Sequence, residues 1–253
     1  MLFSRPRILV LFFAFAAAIS MAARCDEILR YDGYVAGFKV AKMTIEHGVS
    51  SNSLPYHRFT IRSTGAARFF YRIESEMLCE TFCDANGTNT LFTRRYRDRS
   101  IEQNDTMRLW PATGLVVREI LDEGQSVTSR VEVGSQDVAT FFCNIGAILA
   151  DNAFETTNSI VRNVVLDGKS NGVVLTLGET NTLHTALGPA SVQDMTIVSL
   201  SDKLFVRNRP KRIRLSSEYP VFLEMDVENG YGTQHFRLVE WIRNDHPFRP
   251  FRK

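Results

Sequence analysis

The chain has 253 residues, of which 44% are hydrophobic and 23% charged, an ordinary globular balance with room for one large domain or two small ones. Its formal charge is +2, and removing Arg5 and Arg7 with a leader takes the 30 basic residues to 28, matching 28 acids. A neutral body excludes general nucleic-acid binding, which needs a concentrated basic surface.

Residues 1–22 have the three parts of a secretory signal. Arg5 and Arg7 form a basic start, Ile8 to Ile19 is uninterruptedly apolar, and Ser20-Met21-Ala22 places small residues before a cut. The run falls short of the roughly 20 residues of a membrane span. An uncleaved anchor is the rival reading, and lipid attachment at Cys25 is disfavoured by Arg24 before it. The expectation is a periplasmic or secreted protein that is not integral to the membrane after cleavage.

The mature chain alternates apolar and polar residues over short runs, the signature of half-buried strands. Such runs cover 28–34, 38–47, 56–64, 69–79, 90–97, 101–110, 115–121 and 127–133. In the third, His57, Phe59 and Ile61 share one face. Arg94, Arg95, Arg97 and Arg99 form a basic cluster that reads as a solvated strand face countered by Asp98, Glu102 and Asp105. Further runs cover 160–166, 173–177, 182–186, 191–200 and 211–217.

The period changes at Ser135. Val138, Phe141, Phe142, Ile145, Ile148 and Leu149 recur at helical spacing, predicting one amphipathic helix over about 136–150. Ser135 is a candidate N-cap, with Asp137 near the positive end of the dipole. Gly146 weakens the helix by about 1 kcal/mol relative to Ala.

Near the C-terminus, Asn229-Gly230 signals a two-residue hairpin turn. That turn would pair Glu228 with Tyr231, Asp226 with Thr233 and Glu224 with His235, and place Leu223, Met225 and Phe236 on one apolar face. The fold class is therefore mainly β: a large curved antiparallel sheet forming a barrel or half-barrel, with the helix packed on it. The expected organisation is a signal at 1–22, a single β-rich domain over 23–242, and a mobile, basic, Pro-containing tail over 243–253.

Several short motifs carry a family resemblance by their order: Leu29-Arg30-Tyr31, Ala36-Gly37, the helix start at Ser135–Asp137, Thr185 to Gly188, Ile213 to Ser217, and Tyr219-Pro220-Val221. In this the chain resembles the bacterial envelope family called domain of unknown function 3108. It departs from that pattern at Ser217-Glu218-Tyr219, where the family tends to place an Asp before the Pro-Val strand. The resemblance implies a periplasmic, sheet-rich fold similar to envelope lipid- or lipoprotein-handling half-barrels, and brings no catalytic residues.

The residues show no chemistry of their own. No HExxH, nucleophile elbow or phosphate loop is present, and His47, His57, His184, His235 and His246 form no pair at helical spacing. No catalytic residue, metal ligand set or cofactor is legible. Cys79 and Cys83 are four apart, roughly 13 Å if extended, too far for a disulfide. One reading is a binding module whose apolar cavity, lined by Val138, Phe141, Ile145, Leu149, Leu223, Met225 and Phe236, takes a lipid-like ligand. Its alternative is a non-enzymatic envelope interaction protein that docks a partner through a sheet edge or the C-terminal tail.

Overall fold

The computed structural model describes residues 24–70, 72–85, 87–98, 101–149, 154, 157–201, 208–229 and 232–251. The signal at 1–22, Arg99 and the hairpin residues Gly230 and Tyr231 lie outside them.

Most strands fall where the alternation predicts, but the strand expected from residue 69 starts only at Ile73, because 67–70 form a helical turn, and the loop expected over 167–172 is strand from Lys169 onward. The first half comprises β1 (Arg24–Val35), β2 (Phe38–Val49), β3 (Pro55–Ser63), β4 (Ile73–Asp84), β5 (Gly87–Asp98), β6 (Ile101–Trp110), β7 (Leu115–Ile120) and β8 (Gln125–Arg130). The second comprises β9 (Gln136–Asp137), β10 (Ser159–Leu166), β11 (Lys169–Thr185), β12 (Gly188–Ser199), β13 (Asn208–Ser216), β14 (Phe222–Asn229), β15 (Gly232–Arg243) and β16 (His246–Pro247). Tight reversals at Ala36-Gly37 and Asp167-Gly168 have positive φ at both residues, the geometry that matches strand twist. The two strands expected at 173–177 and 182–186 form one, because an irregularity between Leu177 and Thr180 absorbs the break.

All strands join one sheet of order β8-β7-β6-β5-β4-β3-β2-β1-β15-β14-β13-β12-β11-β10-β9, with β16 on β15. The first and last long strands, β1 and β15, meet in the middle. The ladder therefore runs as a ring interrupted at a single seam, between β8 and the β9–β10 end. Side chains bridge that seam: Ser129 Oγ donates to Gly168 O at 2.6 Å, and Arg94 and Arg118 both pair with Asp167. The expected antiparallel, barrel-like sheet is what the chain forms, with its ladder left open at the seam.

The helix lies inside the curve. α1 (Ala67–Phe70) is a single turn, and α2 (Val138–Asn144) packs on β3, β4 and β10. It is half the predicted length and starts later. Asp137, not Ser135, is the N-cap, its carboxylate accepting from Thr140 N at 2.9 Å. Ser135 instead donates to Glu132 O. The helix ends at Ile145 because Gly146 is pressed against the Pro220 backbone, where a Cβ would lie 2.2 Å from the carbonyl carbon.

Two further expectations are corrected. The closing hairpin pairs Glu228 with Thr233, Asp226 with His235 and Glu224 with Arg237, two residues out of the predicted register. A two-residue slip returns every side chain to its own face, so the hydrophobic pattern could not detect it. The tail is ordered over 246–251: β16 pairs with β15, Phe248 meets Trp241 edge-on at 4.9 Å, and Phe251 is buried. Pro247 is tolerated because β16 is an edge strand.

Candidate functional site

The seven residues expected to line an apolar cavity all belong to or pack against the hydrophobic core. Val138, Phe141, Ile145, Leu223, Met225 and Phe236 are buried in one continuous core, and Leu149 packs against it half-buried. Phe141 and Ile145 have no exposure at all. Beside them a cavity of about 10 Å³ is bounded by Leu29, Ile45, His47, Phe142, Cys143, Gly146, Pro220, Val221 and Phe222. That is room for about one water.

A polar cluster adjoins this cavity on the inner face. β2 and β3 place His47 directly opposite His57, and β4 places Cys79 opposite His57. The helix adds Asp137, Thr140 and Cys143 from above. The two Nδ1 atoms of His47 and His57 are 2.8 Å apart. Cys79 Sγ donates to Asp137 Oδ2 at 3.1 Å and lies 3.0 Å from Thr140 Oγ1, while Thr140 Oγ1 donates to Asp137 Oδ2 at 2.6 Å.

Burial favours the neutral forms of the two histidines and the two thiols. Burial, then the neighbouring His57, pushes His47 down to about 4, and burial also lowers His57. Burial followed by the nearby Asp137 pushes the Cys79 and Cys143 thiols up. A protonated, enclosed thiol is a poor nucleophile. One donor atom from each of His47, His57 and Cys143 lies within 4.8 Å of the others, a donor set of the kind that can hold a metal ion.

Sequence reasoning missed this cluster because it searched for histidines along one helix. The legible signal was the β2–β3 hairpin: a turn centred on Ser51-Asn52-Ser53 sets residue 47 against residue 57. Cys79 adds a third position to the same row, and Cys143 comes from α2. All four cysteines are free, with Cys79 and Cys83 unbonded along β4 as expected.

A second inner-face cluster, near the seam, is charged. Arg94 grips Asp105 with two bonds of 2.9 and 2.8 Å, and Arg118 Nε reaches the same carboxylate at 2.6 Å. With its side amide reoriented, Gln103 accepts from both guanidiniums. Arg94 was expected on a solvated face and is instead only 8% exposed, because its strand position points inward and Asp105 opposite neutralises it.

No family model matches this chain, and no curated protein sequence does. What the fold defines is a β-barrel-like sheet protein. Among solved structures it is similar to the crystal structure of a β-barrel-like protein of domain of unknown function DUF1849 from Brucella abortus, with TM-score 0.56 and 13% identity over 88% of this chain and 100% of that one. At that identity the likeness establishes the fold alone, and it does not bear on the 3108 resemblance. No helix among the described residues is long and apolar enough to cross a membrane.

Proposed function

We propose that this chain is an exported, non-enzymatic envelope protein that docks a protein partner by strand addition along the β8 edge at Gln125–Thr128, short of the Ser129–Gly168 bond that bridges the seam. The basic-then-apolar leader supports export. The observation that carries the docking reading is the open end of the ladder: β8 pairs with β7 on one side only, and most of its residues are exposed. Edge strands are ordinarily blunted by proline or lysine, and β8 has neither, only Arg130 at its end. The other end of the sheet is the two-residue β9, which runs straight into α2.

The packed surroundings of α2 favour docking over carriage of an apolar ligand. A cavity of about 10 Å³ has no room for an acyl chain. The packed tail likewise withdraws the C-terminus as a docking arm.

The test is a photo-crosslinker at Ser126, on the outer face of β8, in the protein's own envelope. A single discrete adduct that disappears with Thr128→Lys supports the reading, since lysine blocks edge pairing. Absence of any adduct overturns it. A thermal midpoint that rises with extracted envelope lipids, together with a loss of less than about 3 kcal/mol for Phe141→Ala, would restore the lipid reading.

A further inference from the structure

We propose that His47, His57 and Cys143 bind a single thiophilic d10 cation, zinc(II) or copper(I), through one ring nitrogen from each histidine and the cysteine sulfur. This goes beyond the docking reading and does not rest on it.

Three observations converge. The first is the donor set. Two imidazoles and a thiol present atoms within 4.8 Å of one another on rigid supports: directly opposed positions of two paired strands, and a helix end pinned where Gly146 meets Pro220. Donors around a tetrahedral zinc lie roughly 3.4–3.6 Å apart, given bonds of about 2.0–2.3 Å. Side-chain rotation would have to open the hydrogen-bonded Nδ1 pair, now 2.8 Å apart, by about 0.6 Å and draw the sulfur in by up to about 1 Å. Nitrogen and sulfur donors with no carboxylate among them select zinc or copper(I) over calcium or magnesium.

The second is a buried carboxyl group held only by neutral partners. Asp137 has no exposure, and its partners are a backbone N–H, a hydroxyl and a thiol, all neutral. No Arg or Lys ion pair reaches it among the described residues. Burial of a lone carboxylate is costly unless positive charge lies near. With Cys143 deprotonated, zinc(II) would leave one net positive charge near Asp137, which bonds Cys79 beside His57, whereas copper(I) would leave the site neutral.

The third is the void of about 10 Å³ against His47 and Cys143, the volume of about one water. It provides a fourth coordination position and little more. The rest of its wall is mainly apolar. Binding exchanges the Cys143 thiol proton, released to buffer, for a metal–sulfur bond, with no change of oxidation state. The bound ion would clip α2 to β2 and β3.

The experiment uses the reduced, metal-free mature protein. Zinc(II), or copper(I) under anaerobic conditions, should bind at one equivalent and raise the thermal midpoint. Cobalt(II), as zinc's spectroscopic substitute, should give a thiolate-to-cobalt charge-transfer band that Cys143→Ser abolishes. His47→Gln and His57→Gln should each weaken binding by about tenfold or more, since even outer partners of metal ligands cost that much. Cys83→Ser, at an exposed thiol, should change nothing.

Circular dichroism checks that each variant folds. In the unaltered protein, bound metal should protect Cys143 but not Cys83 from alkylation, read by peptide mass. Competition with copper(I)- and zinc-selective chelators separates the two ions. Sub-stoichiometric uptake, a cobalt complex without the band, binding that survives Cys143→Ser, or a disulfide at Cys143 in the isolated protein would overturn the proposal.

Discussion

Two polar clusters, each drawing on the inner face of the sheet, are built on opposite plans. Near the seam, Arg94, Asp105, Arg118 and Asp167 alternate in charge, and each guanidinium is met by carboxylates. Under α2, His47, His57, Cys79 and Cys143 are uncharged, and the single carboxylate among them, Asp137, has neutral partners. The first arrangement is complete in itself. Its bonds run across the gap between β8 and the β10–β11 turn, and its work is to hold the curve closed. The second sets two hydrogen-bonded ring nitrogens and a thiol close together near a buried carboxyl group. Burial alone therefore does not mark a site; what marks one is a set of donors whose best partner is missing from the chain.

That contrast predicts different responses to damage, the largest at the seam. Arg94→Ala strands Asp105, which is 3% exposed, with only Arg118 beside it. Removing one partner of a buried ion pair costs about 3–5 kcal/mol. Urea unfolding measures this, and a loss below about 1 kcal/mol would mean that the cluster is wetter than its geometry indicates.

The cluster under the helix should respond to acid instead. His47 is held near 4 in the folded state, below the ordinary 6.5 of the unfolded chain. Between those values the unfolded chain binds more protons, so stability rises with pH there. The metal-free protein should have its full stability above about pH 6.5 and lose up to about 3 kcal/mol as pH falls toward 4. His47→Gln should flatten that slope while leaving Arg94, which stays charged throughout, contributing as before. A slope that His47→Gln does not change would place the acid sensitivity elsewhere.

A smaller effect tests how α2 is seated. A Cβ on Gly146 would meet Pro220 backbone atoms at 2.2 and 2.3 Å, and a main chain cannot step aside as a side-chain tip can. Gly146→Ala, favourable in an ordinary helix, should here destabilise by about 1–3 kcal/mol, read as a lower thermal midpoint. If the midpoint rises, the helix end is not pinned.

How much of this was readable beforehand differs between strands and sites. Period-two alternation placed nearly every strand, because each exposes one face, as Tyr56 to Thr64 does. The inward charge of Arg94 was not readable, since an alternating strand rich in arginine looks solvated until Asp105 is seen opposite it. The helix residues Val138, Phe141 and Ile145 were identified, but Gly146 was read as a propensity defect when its role is close approach. The His47–His57 contact lay hidden because it depends on pairing between strands, and Cys143 because nothing local says which strands a helix covers. The ordered tail was missed for a related reason: prolines suggest mobility, while Phe248 and Phe251 find their partners in Trp241 and Tyr219 only after folding.

The smallest expected effect separates an inner pair from an outer one and tests the hairpin register as well. On the outer face, His235 Nδ1 lies 2.7 Å from Asp226 Oδ1, while Glu224 is engaged by Arg214 and Arg237. The turn signal alone would have set His235 against Glu224. A double-mutant cycle between His235→Ala and Asp226→Ala should give a coupling of about 0.2–1 kcal/mol, the range for exposed cross-strand pairs. It should shrink as salt rises, because water and ions reach both groups. The matching cycle between His235 and Glu224 should give none. Coupling to Glu224 in place of Asp226 would return the hairpin to the register its Asn229-Gly230 dipeptide suggests. Because a two-residue slip leaves both faces intact, no measurement of core stability could distinguish the registers; only a contact between named partners can.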